Sequence, residues 1–359
     1  NEEKMREAMR ASFLFVGAVS VVMNIFVFAG LDLIFRLLRV PEDIYGIMRE
    51  YVWTIFWGIF FVFLYNYFSF LLRAVGDSVT PLCFLAVGSV LNIVLDLMFV
   101  VRLHMGVAGA AWATVLSQIV AGAGIFAYTW AREPGLRFFG ATRRSYRALL
   151  RQTMPEIIRF SAAASVQQSV MNFGILMIQG LVNSFGTAVM AAFAAAVKID
   201  SFAYMPAQEF GNSFSIFISQ NYGAGNRERV REGVHASVRI SMLFCIMASA
   251  VIFLAARYLM LIFISPSETE IIQIGVQYLR IEGAFYCGIG MLFLLYGYYR
   301  GTGRPEMSLI LTVISLGTRV VLAYALAPVF GVAAIWCAIP TGWLLADLAG
   351  VWYQREDFI

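Results

Sequence analysis

Charge is scarce in this chain. Of its 359 residues 26 are basic and 22 acidic, 13% together, where soluble domains carry about 25%, and that shortage excludes a water-soluble enzyme. Histidine occurs only at His104 and His235, both at the edges of apolar blocks, which argues against an imidazole metal centre. The four cysteines, Cys83, Cys245, Cys287 and Cys337, each stand alone inside an apolar block. With no C-x-x-C and no metal spacing, neither a disulfide framework nor a zinc site is expected.

What the chain has in excess is apolar length. Hydrophobic residues make up 60% of it and the mean hydropathy is +0.77. They fall into ten long blocks, roughly 13–38, 47–72, 80–102, 107–131, 155–182, 187–219, 236–264, 271–299, 306–329 and 331–354. A bilayer span needs about 20 such residues, so the spacing predicts an all-α integral membrane protein with ten spans. Barrel strands would alternate apolar and polar residues, and these blocks do not.

The net charge of +4 conceals an asymmetry. Lys4, Arg6 and Arg10 precede the first block, Arg73 ends the second, and six arginines from Arg132 to Arg151 follow the fourth. Arg227, Arg229 and Arg231 follow the sixth, Arg300 and Arg304 the eighth, and Arg355 the tenth. All lie on one side if both termini are cytoplasmic, as the positive-inside rule prefers. The stretch 132–153 is the longest polar connection and reads as a cytoplasmic linker that touches anionic lipid headgroups of the bilayer. It lacks interleaved aromatics for stacking bases, so no nucleic-acid partner is expected. The charged N-terminus does not have the form of a cleavable signal peptide.

The sequence also repeats itself at an offset of about 225 residues. Asn1 to Ser12 matches Asn226 to Ser237; Leu72-Arg73-Ala-Val-Gly76 before Pro81 returns as Tyr299-Arg300-Gly-Thr-Gly303 before Pro305; and Gly106-Val-Ala-Gly-Ala returns as Gly331-Val-Ala-Ala-Ile. Two homologous bundles are a transporter pattern. Because both begin on the cytoplasmic side, the repeat is parallel, about an axis near the membrane normal. The second bundle carries two helices upstream of Asn226 that have no counterpart before Asn1. The expectation is a complete protein of six plus six spans, with about 70 residues and two helices upstream of Asn1. The resulting division is 1–131 for an N-terminal lobe with four of its six helices, 132–153 for the linker, and 154–359 for a C-terminal lobe of six.

Ionisable groups at bilayer depth are costly and mark functional sites by default. Asn92 and Asp96 lie four apart on one helix face, and Thr114 lies in the next block. A carboxylate, an amide oxygen and a hydroxyl suit a bare cation or a proton equally. In the sixth block Lys198 and Asp200 lie two apart, so they face different partners; Pro206, which bends a helix, Glu209 and Asn212 follow. The fifth block carries a polar stripe of Gln167, Gln168, Ser169 and Asn172, the eighth Glu282, Tyr286 and Tyr296, and the ninth Arg319. These are candidates for a cavity or for coupling in the C-terminal lobe; the plain alternative is interhelical packing. The 31 phenylalanines and 16 methionines suit a cavity for varied greasy cations.

Taken with Asp77-Ser-Val-Thr-Pro81 and Gln220-Asn-Tyr-Gly-Ala-Gly-Asn226, these motifs give a chain that resembles the bacterial multidrug and toxic compound extrusion (MATE) transporters along essentially its whole length. The resemblance implies two six-helix lobes in a V, in the bacterial inner membrane, exporting small organic cations in exchange for Na⁺ or H⁺ by alternating access. It implies no cofactor beyond the coupling ion, and a monomer is the default. Asn92, Asp96 and Thr114 match the family's cation or proton site, which also uses an Asp from the first helix, in the expected upstream part. Other members place coupling acids on helices corresponding to blocks five and eight; block five here offers Gln167 and Gln168, so Asp200 or Glu282 would substitute. The alternatives are a lipid-linked oligosaccharide flippase of the same superfamily, which calls for a more cationic cavity, and more remotely an intramembrane enzyme, which calls for clustered Asp or H-E-x-x-H.

Overall fold

A computed structural model describes residues 2–37, 41–138 and 146–354. The described residues are almost entirely helical and divide into two units, Asn1–Ile158 and Arg159–Ile359. The first holds α1 (Glu2–Leu37), α2 (Glu42–Phe56), α3 (Ile59–Ala74), α4 (Val79–Asp96), which continues as a π-helical stretch Leu97–Arg102, and α5 (Gly106–Arg132). The boundary falls inside α6 (Tyr146–Asn183), so the second half of the Arg-rich connection is helical; its residues 139–145 lie outside the described ones. The second unit continues with α7 (Thr187–Gly223), α8 (Arg227–Met260), α9 (Thr269–Gly283), α10 (Tyr286–Gly301), α11 (Pro305–Phe330) and α12 (Val332–Tyr353).

Each expected block is helical, but the blocks differ as spans. Seven described helices are long and apolar enough to cross a bilayer. Two further blocks are bent pairs: α2 with α3, at 42°, and α9 with α10, at 52°. The remaining block, α6, has the length but not the apolarity, because Gln167, Gln168 and Asn172 dilute its middle.

The repeat is visible in the backbone. Reading α1 to α5 and then α8 to α12, each series is a long helix, a bent pair and two further rods. The turns match in detail. After α3, Gly76 has φ +96°, its N–H donates to the Arg73 carbonyl, and the Asp77 N–H donates to Leu72. After α10, Gly303 has φ +81°, with its N–H on Arg300 and the Arg304 N–H on Tyr299. Both are Schellman caps, which need a left-handed residue that glycine supplies without strain. Asp77 adds a second device, its Oδ1 accepting from the N–H groups of Val79 at 3.1 Å and Thr80 at 3.0 Å to start α4.

Small residues let backbones touch, the usual membrane solution. A Cβ at Gly122 of α5 would strike the Phe61 carbonyl of α3; one at Gly297 of α10, the Gly211 carbonyl of α7; one at Gly342 of α12, the Ser315 carbonyl of α11. An aromatic cluster of Phe13, Phe63, Tyr67, Phe68 and Phe138 fills the first unit. In the second, Phe193 stacks on Trp336 at 5.4 Å with Tyr278 edge-on at 4.9 Å. α7 continues as one helix through Pro206, and the two bends at helix breaks fall at Trp57–Gly58 and Ala284–Phe285, where no proline stands.

Replacing Gly122 by valine is expected to cost about 1–3 kcal/mol through overpacking, measured as a lowered melting temperature in detergent. Asp77→Ala removes a cap and is expected to cost about 1 kcal/mol. The Thr80 side chain and the Thr80 and Val79 N–H groups hold the Asp77 carboxyl below its ordinary value of 3.8. The charged cap therefore acts in full above that value and is lost as pH falls through the lower folded-state value. A melting-temperature series into acid should show a loss in wild type that Asp77→Asn lacks.

Candidate functional site

In the first unit, Asn92 and Thr114 come together in a cavity of about 230 Å³, with Ser89, Ser117, Gln118 and Tyr65 also in its wall. Thr114 Oγ1 donates to the Ala110 carbonyl at 2.9 Å, which leaves its lone pairs free to accept. Asn92 Nδ2 and Gln118 Oε1 are buried with no partner. Gln118 Oε1 lies against Gly58, at the α2–α3 bend, where a Cβ would collide with it. Asp96 is not in this wall. It ends α4 at the start of the π-helical stretch, with Oδ1 buried and unpartnered, one turn beyond Asn92. Single π-turns inside helices concentrate at functional sites.

In the second unit four of the expected residues meet. Asp200 on α7 is 5% exposed and Glu282 on α9 is 1% exposed, and the two carboxyl groups are near enough for each to bear on the other's charge. Tyr286, just past the α9–α10 bend, donates its hydroxyl to Asp200 Oδ1 at 2.5 Å. Arg319 on α11 is close enough to act on both carboxylates through its charge; its Nε has no partner. Tyr278, one turn before Glu282, lies near it and connects the site to the Phe193–Trp336 stack.

The remaining expected residues lie elsewhere. Lys198 is exposed, away from buried Asp200. Glu209 is exposed and accepts from Asn212 Nδ2 at 3.3 Å, while Asn212 Oδ1 accepts from Arg300 at 3.0 Å. Gln167 is buried and donates to Thr312 Oγ1 at 2.9 Å, an interhelical tie. Gln168 and Asn172 pair with each other on an exposed face of α6 at 3.3 Å.

Sequence reasoning passed over Gln118, Tyr278 and Asp347. Asp347 of α12 has a buried, unpartnered Oδ1, and its Oδ2 would stand 3.7 Å from a Cβ at Gly288. An acid in the run Leu344-Leu345-Ala346-Asp347-Leu348 carries the same signal as Asp96.

Apolar rods, repeated bent pairs and buried carboxylates enclosed by helices define a polytopic membrane transporter. The MatE family model matches residues 1–98 and 161–325, so the chain belongs to the MatE family and is a MATE-type multidrug efflux transporter. Among curated proteins it is 33% identical to the probable multidrug resistance protein YpnP of Bacillus subtilis, over 90% of this chain and 71% of that one. It is 28% identical to the probable multidrug resistance protein NorM of Thermotoga maritima, over 86% and 68%. Among solved structures, a MOP superfamily transporter from Pyrococcus furiosus superposes with a TM-score of 0.88 at 24% identity, covering 99% of this chain and 79% of that one. The Vibrio cholerae MATE transporter VcmN in its bent form gives 0.88 at 19%, covering 99% and 83%.

Tyr286→Phe would strip a donor from buried Asp200. A loss of about 1–3 kcal/mol is expected, measured by thermal unfolding, and the Asp200→Asn background should suppress it.

Proposed function

We propose that this chain is a Na⁺- or H⁺-coupled antiporter that exports lipophilic organic cations across a bacterial inner membrane, with both termini in the cytoplasm. The observation that carries the coupling is the enclosed Asp200–Glu282 pair facing the single guanidinium of Arg319. Two carboxylates enclosed this close to one another repel when both are charged. With both ionised, the set has one negative charge in excess, and a proton or a monovalent cation offsets it. Asn92 and Thr114 in the cavity of the first unit, with Asp96 one turn of α4 beyond Asn92, are a second candidate, with oxygen donors suited to the same ligands.

The cargo reading rests on the family and on the names of the relatives, which point to drug export rather than lipid-linked sugar flipping. A cavity of about 880 Å³ in the first unit, walled by Met5, Met9, Phe63, Tyr67 and Phe70 with Asn66, suits a drug-sized cation. Exchange follows if the coupling ion and the cargo stabilise different conformations, since a ligand shifts an equilibrium only by its differential affinity.

The test is efflux of a fluorescent lipophilic cation from proteoliposomes under a Na⁺ gradient or a pH gradient imposed separately. One gradient should drive wild type, and Glu282→Gln or Asp200→Asn should lower the gradient-driven rate about tenfold or more. If only Asp96→Asn abolishes it, the coupling site lies in the first unit. If neither gradient drives any cation tested, the antiporter reading fails.

A further inference from the structure

Arg257 and Arg280 line one groove of about 700 Å³ in the second unit, between the end of α8 and α9. Both are exposed, and neither has an acidic partner among the described residues. Glu268 and Glu270, on the intervening turn and the first turn of α9, neither line the groove nor pair with them. The guanidinium of Arg280 lies over the Phe253 ring at 5.4 Å, which fixes its plane and covers one of its faces. The groove's other walls combine Gln273 and Gln277 with the aliphatic Ile272 and Val276.

The surroundings make two unpaired guanidinium groups informative. Along α8 and just beyond it, Leu254 is 77% exposed, Tyr258 74% and Ile262 70%, an apolar surface that a bilayer covers. Arg280 lies eleven residues past Thr269, about 16 Å along α9, on the same groove as Arg257. An unpaired guanidinium beside an apolar surface that a bilayer covers favours an anion, and it holds phosphate oxygens through two parallel N–H bonds. A topological role does not explain the pair, because this end of α8 lies opposite the Arg227–Arg231 end that the positive-inside rule places in the cytoplasm.

We propose that this groove binds the headgroup of an anionic phospholipid. Arg257 and Arg280 hold the phosphate, Gln273 and Gln277 hydrogen-bond the polar headgroup, and the acyl chains lie along Ile272 and Val276. The proposal is independent of which ion couples transport and of which acid binds it.

Native mass spectrometry of the purified full chain, in micelles doped with equal amounts of phosphatidylglycerol and phosphatidylcholine, tests it directly. Wild type should retain phosphatidylglycerol with about tenfold preference. R257Q/R280Q should retain both lipids equally, and R257K/R280K, with the charge kept and the fork lost, should fall between. Melting temperatures in phosphatidylcholine alone report whether the variants are folded. Equal retention of the two lipids by wild type overturns the proposal even if both variants unfold, and so does an unchanged preference in folded R257Q/R280Q. Glycerol phosphate should fail to displace the lipid at millimolar concentration; displacement would make the groove a soluble-anion site and overturn the lipid assignment.

Discussion

In hydrocarbon no water is present to complete a hydrogen bond, and this molecule is built around that one fact. Every backbone amide must be satisfied within its own segment, which permits only helices, and every polar side chain must find a partner from another helix or carry a function. Glycines at 122, 211, 297 and 342 bring backbones close enough for such partners to reach. Interhelical ties such as Gln167 to Thr312, Tyr299 to the Gly350 carbonyl and Ser308 to the Tyr296 carbonyl then follow. Several buried atoms are nonetheless left without hydrogen-bond partners, among them Asn92 Nδ2, Asp96 Oδ1, Gln118 Oε1, Glu282 Oε1, Arg319 Nε and Asp347 Oδ1, with others on α1, α3, α8 and α12. The first five lie in or beside the two candidate coupling regions.

The two candidate regions share a construction. In each unit a bent helix pair brings a polar residue to its break: Gly58 exposes backbone to Gln118 in the first, and Tyr286 turns from the break toward Asp200 in the second. A bend releases backbone groups and changes the direction of the side chains beyond it, so one helix contributes from two angles. In both units the chemistry gathers at the broken pair.

Apolar block length and repeated turn motifs made the helices and their order legible in the sequence. Gly76 and Gly303 could be matched by eye because left-handed caps demand one residue type. The two bends at helix breaks could not be read, since neither Trp57–Gly58 nor Ala284–Phe285 carries a proline. Asp200, Glu282, Tyr286 and Arg319 were visible singly as polar residues in apolar runs, but they lie on four different helical segments, and only packing reveals that they meet. Tyr278 was hidden among ordinary aromatics, and Asp347 by the leucines around it. Lys198 and Glu209 drew notice by charge alone, and exposure removes them from the buried cluster.

The π-helical stretch after Asp96 has a geometric consequence of its own. A π-turn takes one residue more than an α-turn, and one residue in an α-helix is worth about 100° of rotation. Leu97–Arg102 therefore turns by less per residue than α4, and its side chains leave the axis at azimuths displaced from the α4 register. A single-residue deletion within this stretch would return it to the α4 register and re-aim these few side chains relative to Asp96, while α5, entered through the turn at 103–105, would keep its own facing.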